Sequence, residues 1–156
     1  MPRVSKEATI LLVDDDPEDR MLTRQALSEG EVENPLFEVE NGEELLDYLA
    51  GRGRFETEGP APQPGLILLD LNMPKKDGRQ TLVELKQDPA LRRIPVVVLS
   101  TSTADADVAH TYDLGSNSFI TKPALFDDFV HSMRCLGRYW FGVVRRPDEL
   151  TGKKDG

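Results

Sequence analysis

Cysteine is almost absent from the sequence: Cys135 is the only cysteine among 156 residues. A lone cysteine excludes an intramolecular disulfide and a cysteine zinc cluster, and it is typical of a reducing compartment. Basic side chains are also few: 19 lysines and arginines face 28 acidic residues, a formal net charge of -9 at pH 7. A chain this acidic repels phosphate backbones, so we expect no binding to nucleic acid.

Long apolar runs are missing as well. No stretch approaches the roughly 18 apolar residues of a membrane-spanning helix, so we expect no membrane segment. Residues 1–8 lack the apolar centre of a signal peptide. The length is close to the roughly 150 residues of one domain. These features predict a soluble, cytoplasmic protein of one domain.

Three short apolar runs, each followed at once by polar residues, predict strands that are buried on both faces of a parallel sheet. They are Ile10–Val13, Leu66–Leu69 and Val96–Leu99. Two weaker patterns, Leu36–Glu40 and Ser118–Thr121, predict edge strands. Helical patterns lie between the strands. The alternation therefore predicts an α/β fold, a doubly wound five-stranded parallel sheet with helices on both faces.

The segments between the strands carry their own signals. Asp16-Pro17, followed by two acidic residues, is typical of a helix N-terminus. Apolar residues at helical spacing from Phe126 to Trp140 predict a long last helix. The segment Gly51–Gly65, rich in glycine and proline, predicts a long loop, and the polar chain after Arg145 predicts a frayed tail.

Side chains that can bind a ligand or take part in a reaction directly follow four of the predicted strands. Acidic residues follow the first and third strands, hydroxyls follow the fourth and a lysine follows the fifth. They are Asp14, Asp15, Asp16, Asp70, Ser100, Thr101 and Lys122. Because ligands of doubly wound sheets bind outside the carboxyl ends of the strands, we expect these side chains to converge at one edge.

Carboxylates that converge in this way need a cation. Two of them about 4–5 Å apart repel by about 1 kcal/mol in water, and by more near a protein surface. Mg2+ relieves this repulsion, because it binds carboxylate oxygens, water and a phosphate oxygen. An aspartate beside the ion can attack phosphorus, while a lysine and a serine hydroxyl bind the phosphoryl oxygens. The set therefore fits the reversible phosphorylation of an aspartate.

Each member of this set also has a plainer interpretation. Asp14–Asp16 alone can be a helix cap with solvated charge, and Asp70 can be a turn residue. Lys122 can be a surface lysine before proline, and Ser100 a local capping hydroxyl. Their joint placement after four different strands favours the functional interpretation.

Four segments resemble the receiver domain of two-component response regulators. They are ILLVDDDP (Ile10–Pro17), LILLDLNMPKKDG (Leu66–Gly78), VVVLSTS (Val96–Ser102) and SFITKP (Ser118–Pro123). The resemblance implies a flavodoxin-like receiver fold with strand order 2-1-3-4-5. It assigns residues 7–140 to the receiver domain and residues 141–156 to a C-terminal extension.

The resemblance also implies a role for each site residue. Asp70 would accept the phosphoryl group from phosphohistidine on a sensor histidine kinase. Mg2+ would be bound by Asp14, Asp15, Asp70 and the backbone carbonyl of Asn72. Such a protein is a switch that catalyses its own phosphorylation and dephosphorylation, rather than a turnover enzyme.

Further residues would transmit the signal. Ser100 would move onto the phosphoryl group, Lys122 would pair with that group, and Phe119 would swing inward when Ser100 moves. The peptide bond between Lys122 and Pro123 would be cis, as it usually is in receivers.

The expected partner proteins are inferred from the long loop and from the end of the last predicted helix. The loop Gly51–Gly65 and the ending YWFGVVRRP resemble receivers that pair with bacterial phytochrome histidine kinases, and a downstream phosphotransfer protein is a further expected partner. Apolar Trp140, Phe141 and Val144 favour the face of a homodimer, with packing on the domain's own body as the alternative.

Two other functions are alternatives. A haloacid-dehalogenase-type phosphatase also uses a strand-end aspartate and Mg2+, but it expects a second aspartate where this chain has Asn72. A flavodoxin-like FMN carrier needs a phosphate-binding loop after the first strand, where three acidic residues would repel the phosphate.

Overall fold

A five-stranded parallel sheet forms the centre of the computed structural model, which describes residues 8–56, 63–71 and 77–150. The strands are β1 (Ile10–Val13), β2 (Leu36–Val39), β3 (Leu66–Asp70), β4 (Val96–Ser100) and β5 (Ser118–Thr121). The α-helices are α1 (Pro17–Glu29), α2 (Gly42–Ala50), α3 (Gly78–Gln87), α4 (Asp105–Asp113) and α5 (Phe126–Gly142). The strand order β2-β1-β3-β4-β5 confirms the predicted doubly wound fold.

The central strands are buried on both faces, as their unbroken apolar runs predicted. In β1, Ile10 and Leu12 pack into a core with α1 and α5, whereas Leu11 and Val13 pack into a second core with α2 and α3. Successive side chains of a strand point to opposite faces, so one apolar run builds both cores. Each fully buried leucine or isoleucine stabilises the fold by about 1.5–3 kcal/mol.

The bounds of β1 and β5 are as predicted, whereas β2, β3 and β4 each end one residue away from the predicted end, and this difference matters for the site. Both β3 and β4 extend one residue further, so Asp70 and Ser100 are the last residues of their strands. By contrast, β2 ends at Val39, because the N–H of Glu40 donates to the Glu44 carboxylate at 2.8 Å instead of to a strand.

The chain after Arg145 is not a frayed tail as far as Leu150, its last described residue. Residues Pro147–Glu149 form a 3-10 helix, and the side chain of Arg146 is buried. The expectation of a frayed tail is therefore wrong for this stretch. Residues 151–156 lie outside the described part of the chain, as do residues 57–62 of the predicted long loop.

The prediction that Phe141 lies on a dimer face is also wrong. Its side chain is buried in the core between the sheet, α1 and α5, because the apolar stripe of α5 continues inward as far as this residue. Trp140 packs partly against the same core and Val144 is half-buried. None of the described helices combines the length and apolar character needed to cross a membrane.

Candidate functional site

Three carboxylates meet at the carboxyl edge of the sheet. Asp14, Asp15 and Asp70 each offer one carboxylate oxygen, and these three oxygens lie within 4.8 Å of one another. The juxtaposition follows from the topology, because Asp14 and Asp15 follow β1, and β1 is paired in parallel with β3, which ends in Asp70. A compact set of oxygen donors with this much negative charge fits a divalent cation such as Mg2+ or Mn2+.

Asp14 is the most enclosed member of the cluster, with 1% of its surface exposed. Burial raises the pKa of its carboxyl above the usual value, and the Asp16 N–H and the Lys122 ammonium offset this only in part. The ionised form of Asp14 therefore lacks solvation. A cation bound to the cluster would supply the missing stabilisation.

Asp16 is not part of this carboxylate cluster, because its side chain caps the N-terminus of α1. Its Oδ1 atom accepts the N–H of Glu18 at 2.9 Å and the N–H of Asp19 at 3.5 Å. These bonds cap the first turn of the helix, where backbone N–H groups have no partner within the helix. Of the three consecutive acidic residues, two join the cluster and the third caps the helix.

Lys122 brings a positive charge to the carboxylates. Its Nζ lies 3.5 Å from Asp14 Oδ2 and 3.5 Å from Asp19 Oδ2. Burial alone lowers the pKa of Lys122, but the negative charges of Asp14, Asp70 and Asp19 outweigh it, so the pKa is raised. The ammonium group is thus charged at neutral pH and lies beside the carboxylates at this edge of the sheet.

Asp19 is a site residue that the sequence analysis missed. One indication of this role was present in the sequence. Asp19 lies in the first turn of α1, directly after Asp16-Pro17, and this turn lies next to the edge of the sheet. Asn72, expected to complete the metal ligands, lies outside the described residues.

The peptide bond between Lys122 and Pro123 is trans, so the expected cis bond is wrong; the described residues contain no cis peptide. Trans is the form that X–Pro bonds favour, by about 0.5–1 kcal/mol. Lys122 is held at the edge by its backbone N–H, which donates to the Ser100 carbonyl at 2.7 Å.

The two predicted switch residues lie on neighbouring strands. Ser100 is fully buried at the end of β4, and its Oγ accepts the N–H of Ser102 at 3.1 Å. Phe119 is partly buried on β5, where it pairs with Val98 of β4. It lines a shallow groove of about 440 Å³ between α4, β5 and α5, together with Tyr112 and Trp140.

Adding a divalent cation is expected to stabilise the protein, because the cation relieves the repulsion among the three carboxylates. Saturation at about 100 times the dissociation constant corresponds to about 2.7 kcal/mol, or about 5–10 °C in melting temperature for a chain of this size. Thermal denaturation with MgCl2 or MnCl2 measures the shift, and Asp15→Asn should lose most of it. KCl at matched ionic strength is the control; an equal shift with KCl would contradict the metal site.

Comparison with known proteins agrees with this geometry. Residues 10–134 match the family model of the response regulator receiver domain. The chain is 39% identical over 138 residues to the response regulator Rcp1 from Synechocystis sp.. The alignment covers 88% of this chain and 92% of Rcp1.

Solved structures show the same likeness. The crystal structure of the phosphorylated cyanobacterial phytochrome response regulator RcpA has a TM-score of 0.80 and 40% identity, covering 90% of this chain and 99% of RcpA. The Mn2+-bound form of Rcp1 has a TM-score of 0.79 and 38% identity, with coverage of 90% and 99%. These matches do not favour the phosphatase or the FMN carrier.

Proposed function

The chain belongs to the response regulator receiver family, and we propose that Asp70 is its phosphoacceptor, which takes a phosphoryl group from a sensor histidine kinase in a Mg2+-dependent reaction. The observation that carries the proposal is the group of three carboxylate oxygens within 4.8 Å of one another, with the Lys122 ammonium 3.5 Å from one of these residues. Proteins of this family act as signalling switches rather than as classical enzymes.

The chemistry uses few groups. A carboxylate oxygen of Asp70 attacks phosphorus and forms a P–O bond, while the P–N bond of phosphohistidine breaks and its electron pair stays on the imidazole nitrogen. Lys122 and Ser100 then donate hydrogen bonds to the phosphoryl oxygens. Mg2+, held by Asp14, Asp15 and Asp70 with the expected carbonyl of Asn72, would neutralise charge on the transferred group.

Phosphorylation would draw Lys122 and Ser100 away from their present partners. Lys122 would exchange Asp14 and Asp19 for the phosphoryl group, and Ser100 would exchange the Ser102 N–H for it. Phe119 would follow Ser100 inward and change the groove between α4, β5 and α5. The same site, through the chain's own residues, would also hydrolyse the aspartyl phosphate.

The partners are proposed from the relatives. RcpA is a cyanobacterial phytochrome response regulator, and we propose that the kinase for this chain is a bacterial phytochrome. A downstream phosphotransfer protein would receive the signal. A cytoplasmic location suits both this partner set and the single, exposed cysteine.

A homodimer through the end of α5 is a further part of the proposal. With Phe141 buried, the apolar surface available there consists of Tyr139, 51% exposed, and Val143, 71% exposed, beside the partly buried Trp140 and Val144. Exposed apolar side chains that are contiguous often mark a contact surface.

Intact-mass measurement after incubation with Mg2+ and acetyl phosphate tests the function. We expect a phosphate adduct in the parent protein and none in Asp70→Asn, because an amide cannot act as the nucleophile. Asp16→Asn is the matched control: it removes one negative charge but keeps a capping side chain, so its adduct should form normally. An adduct of equal yield in Asp70→Asn would contradict the proposal, and gel filtration of both forms tests the dimer.

A further inference from the structure

A chain of polar contacts fixes the loop between β4 and α4, and it begins at Ser100. The N–H of Ser102 donates to Ser100 Oγ at 3.1 Å, and the Ser102 hydroxyl donates to Asp107 Oδ2 at 2.6 Å. Asp107 also forms an ion pair with Arg79, whose Nη2 lies 3.3 Å from its Oδ1. These contacts link the end of β4 to the first turns of α4 and α3.

Ser102 is fixed on three sides. Besides the bonds made by its N–H and its hydroxyl, its carbonyl oxygen accepts the hydroxyl of Thr121 on β5 at 3.2 Å. The Ser102 Oγ also accepts the N–H of Ala104 at 3.1 Å, just before α4 begins. The loop therefore cannot rearrange at Ser102 without breaking several bonds together.

The bond between Ser102 and Asp107 is the strongest of this set by geometry. An O–H to carboxylate distance of 2.6 Å is that of a charge-assisted hydrogen bond. The Ser102 hydroxyl, together with Arg79, lowers the pKa of the Asp107 carboxyl, so Asp107 is ionised at neutral pH. Asp107 thus contacts both the loop, through Ser102, and α3, through Arg79.

We infer that Asp107 is a positioning residue, which fixes Ser102 and thereby holds the Ser100 hydroxyl in its unphosphorylated contact. This inference rests on the proposed function of Asp70. To reach a phosphoryl group on Asp70, the Ser100 hydroxyl must leave the Ser102 N–H, and the contact with Asp107 keeps that N–H in place. An interaction made in only one of two states shifts the equilibrium toward that state, so Asp107 opposes phosphorylation.

Removing the Asp107 carboxylate is therefore expected to speed phosphorylation. We expect Asp107→Ala to form the acetyl phosphate adduct about five- to tenfold faster than the parent, at the lower end of typical couplings between sites. Asp105→Ala is the matched control, because Asp105 lies in the same first turn of α4, is exposed and makes no ion pair among the described residues. Its rate should stay within about twofold of the parent.

Ser102→Ala is the second variant, and combining it with Asp107→Ala completes a double-mutant cycle. It removes the hydroxyl that contacts Asp107 and should give the same acceleration, while the double variant should show no further gain. Acceleration is a readout that mere loosening of the fold would not produce, and the melting shift caused by Mg2+ should be unchanged in each variant.

The outcomes separate this inference from the proposed function. If the parent forms the adduct and Asp107→Ala and Ser102→Ala form it no faster, the positioning role is refuted while the function of Asp70 stands. If the parent forms no adduct, the proposed function itself fails, and the inference fails with it.

Discussion

Replacing Gly78 by alanine is expected to destabilise the domain by about 3 kcal/mol and to impair the site at the same time. Gly78 is the first residue of α3, and its N–H donates to the Leu71 carbonyl at 2.8 Å. A Cβ atom there would clash with the carbonyl oxygen of Asp70 and would lie 2.7 Å from the Cα of Leu71. Both neighbours are backbone atoms, so the chain itself would have to move.

The movement would displace the backbone that carries the Asp70 carboxylate. Urea denaturation measures the loss of stability, and the Mg2+-dependent melting shift and the acetyl phosphate adduct should both decrease. Gly142→Ala is the matched control, because a Cβ at Gly142, the last residue of α5, would meet nothing within 4 Å. That variant should be neutral or more stable by up to about 1 kcal/mol. Parent-like stability and adduct formation in Gly78→Ala would refute the steric argument.

The central features of the site could be predicted because they depend on little more than chain direction. Where an apolar run stops, a buried strand ends, and parallel strands all end at the same edge of the sheet. This alone brings Asp14 and Asp70 together, and it places Ser100 and Lys122 at the same edge. No knowledge of side-chain packing was needed for these residues.

The different roles of the neighbouring acidic residues, helix cap or partner of Lys122, could not be predicted in this way. Asp16 caps α1 while Asp19, one turn later, pairs with Lys122. Which carboxylate faces the site depends on the rotation of α1 about its axis. That rotation is fixed by the packing of Ala26 and Leu27 into the core, and the sequence before Asp19 does not specify it.

The burial of Arg146 could likewise not be predicted from the pattern of apolar residues, since the segment RRPDE contains no large apolar side chain. The local signal that existed was the pair of acidic residues two and three positions later, Asp148 and Glu149. The partner that encloses the guanidinium is more distant: the ring of Phe141, whose centroid lies 5.0 Å from the guanidinium carbon. A buried charge is stable only where several such partners meet.

Arg146→Ala is expected to cost about 3 kcal/mol of stability, or about 6–12 °C in melting temperature. Arg146 is 2% exposed. Its Nε donates to Asp148 Oδ1 at 2.8 Å, and its Nη1 donates to the Trp140 carbonyl at 3.0 Å. Truncation leaves these acceptors without their donor and opens the space beside Gly65, where a Cβ would come within 3.1 Å of Nε.

The adjacent Arg145 offers a matched control for this prediction. Arg145 is exposed, so Arg145→Ala should change the stability by no more than about 0.5 kcal/mol. Arg146→Lys keeps the charge but lacks the planar fork that binds Asp148 and Trp140 together, so it should recover only part of the loss. Equal melting temperatures for Arg146→Ala and Arg145→Ala would show that the segment after α5 adds nothing to the fold. A large difference would mean instead that this segment is an integral part of the domain, anchored to the start of β3 at the sheet edge opposite the acidic cluster.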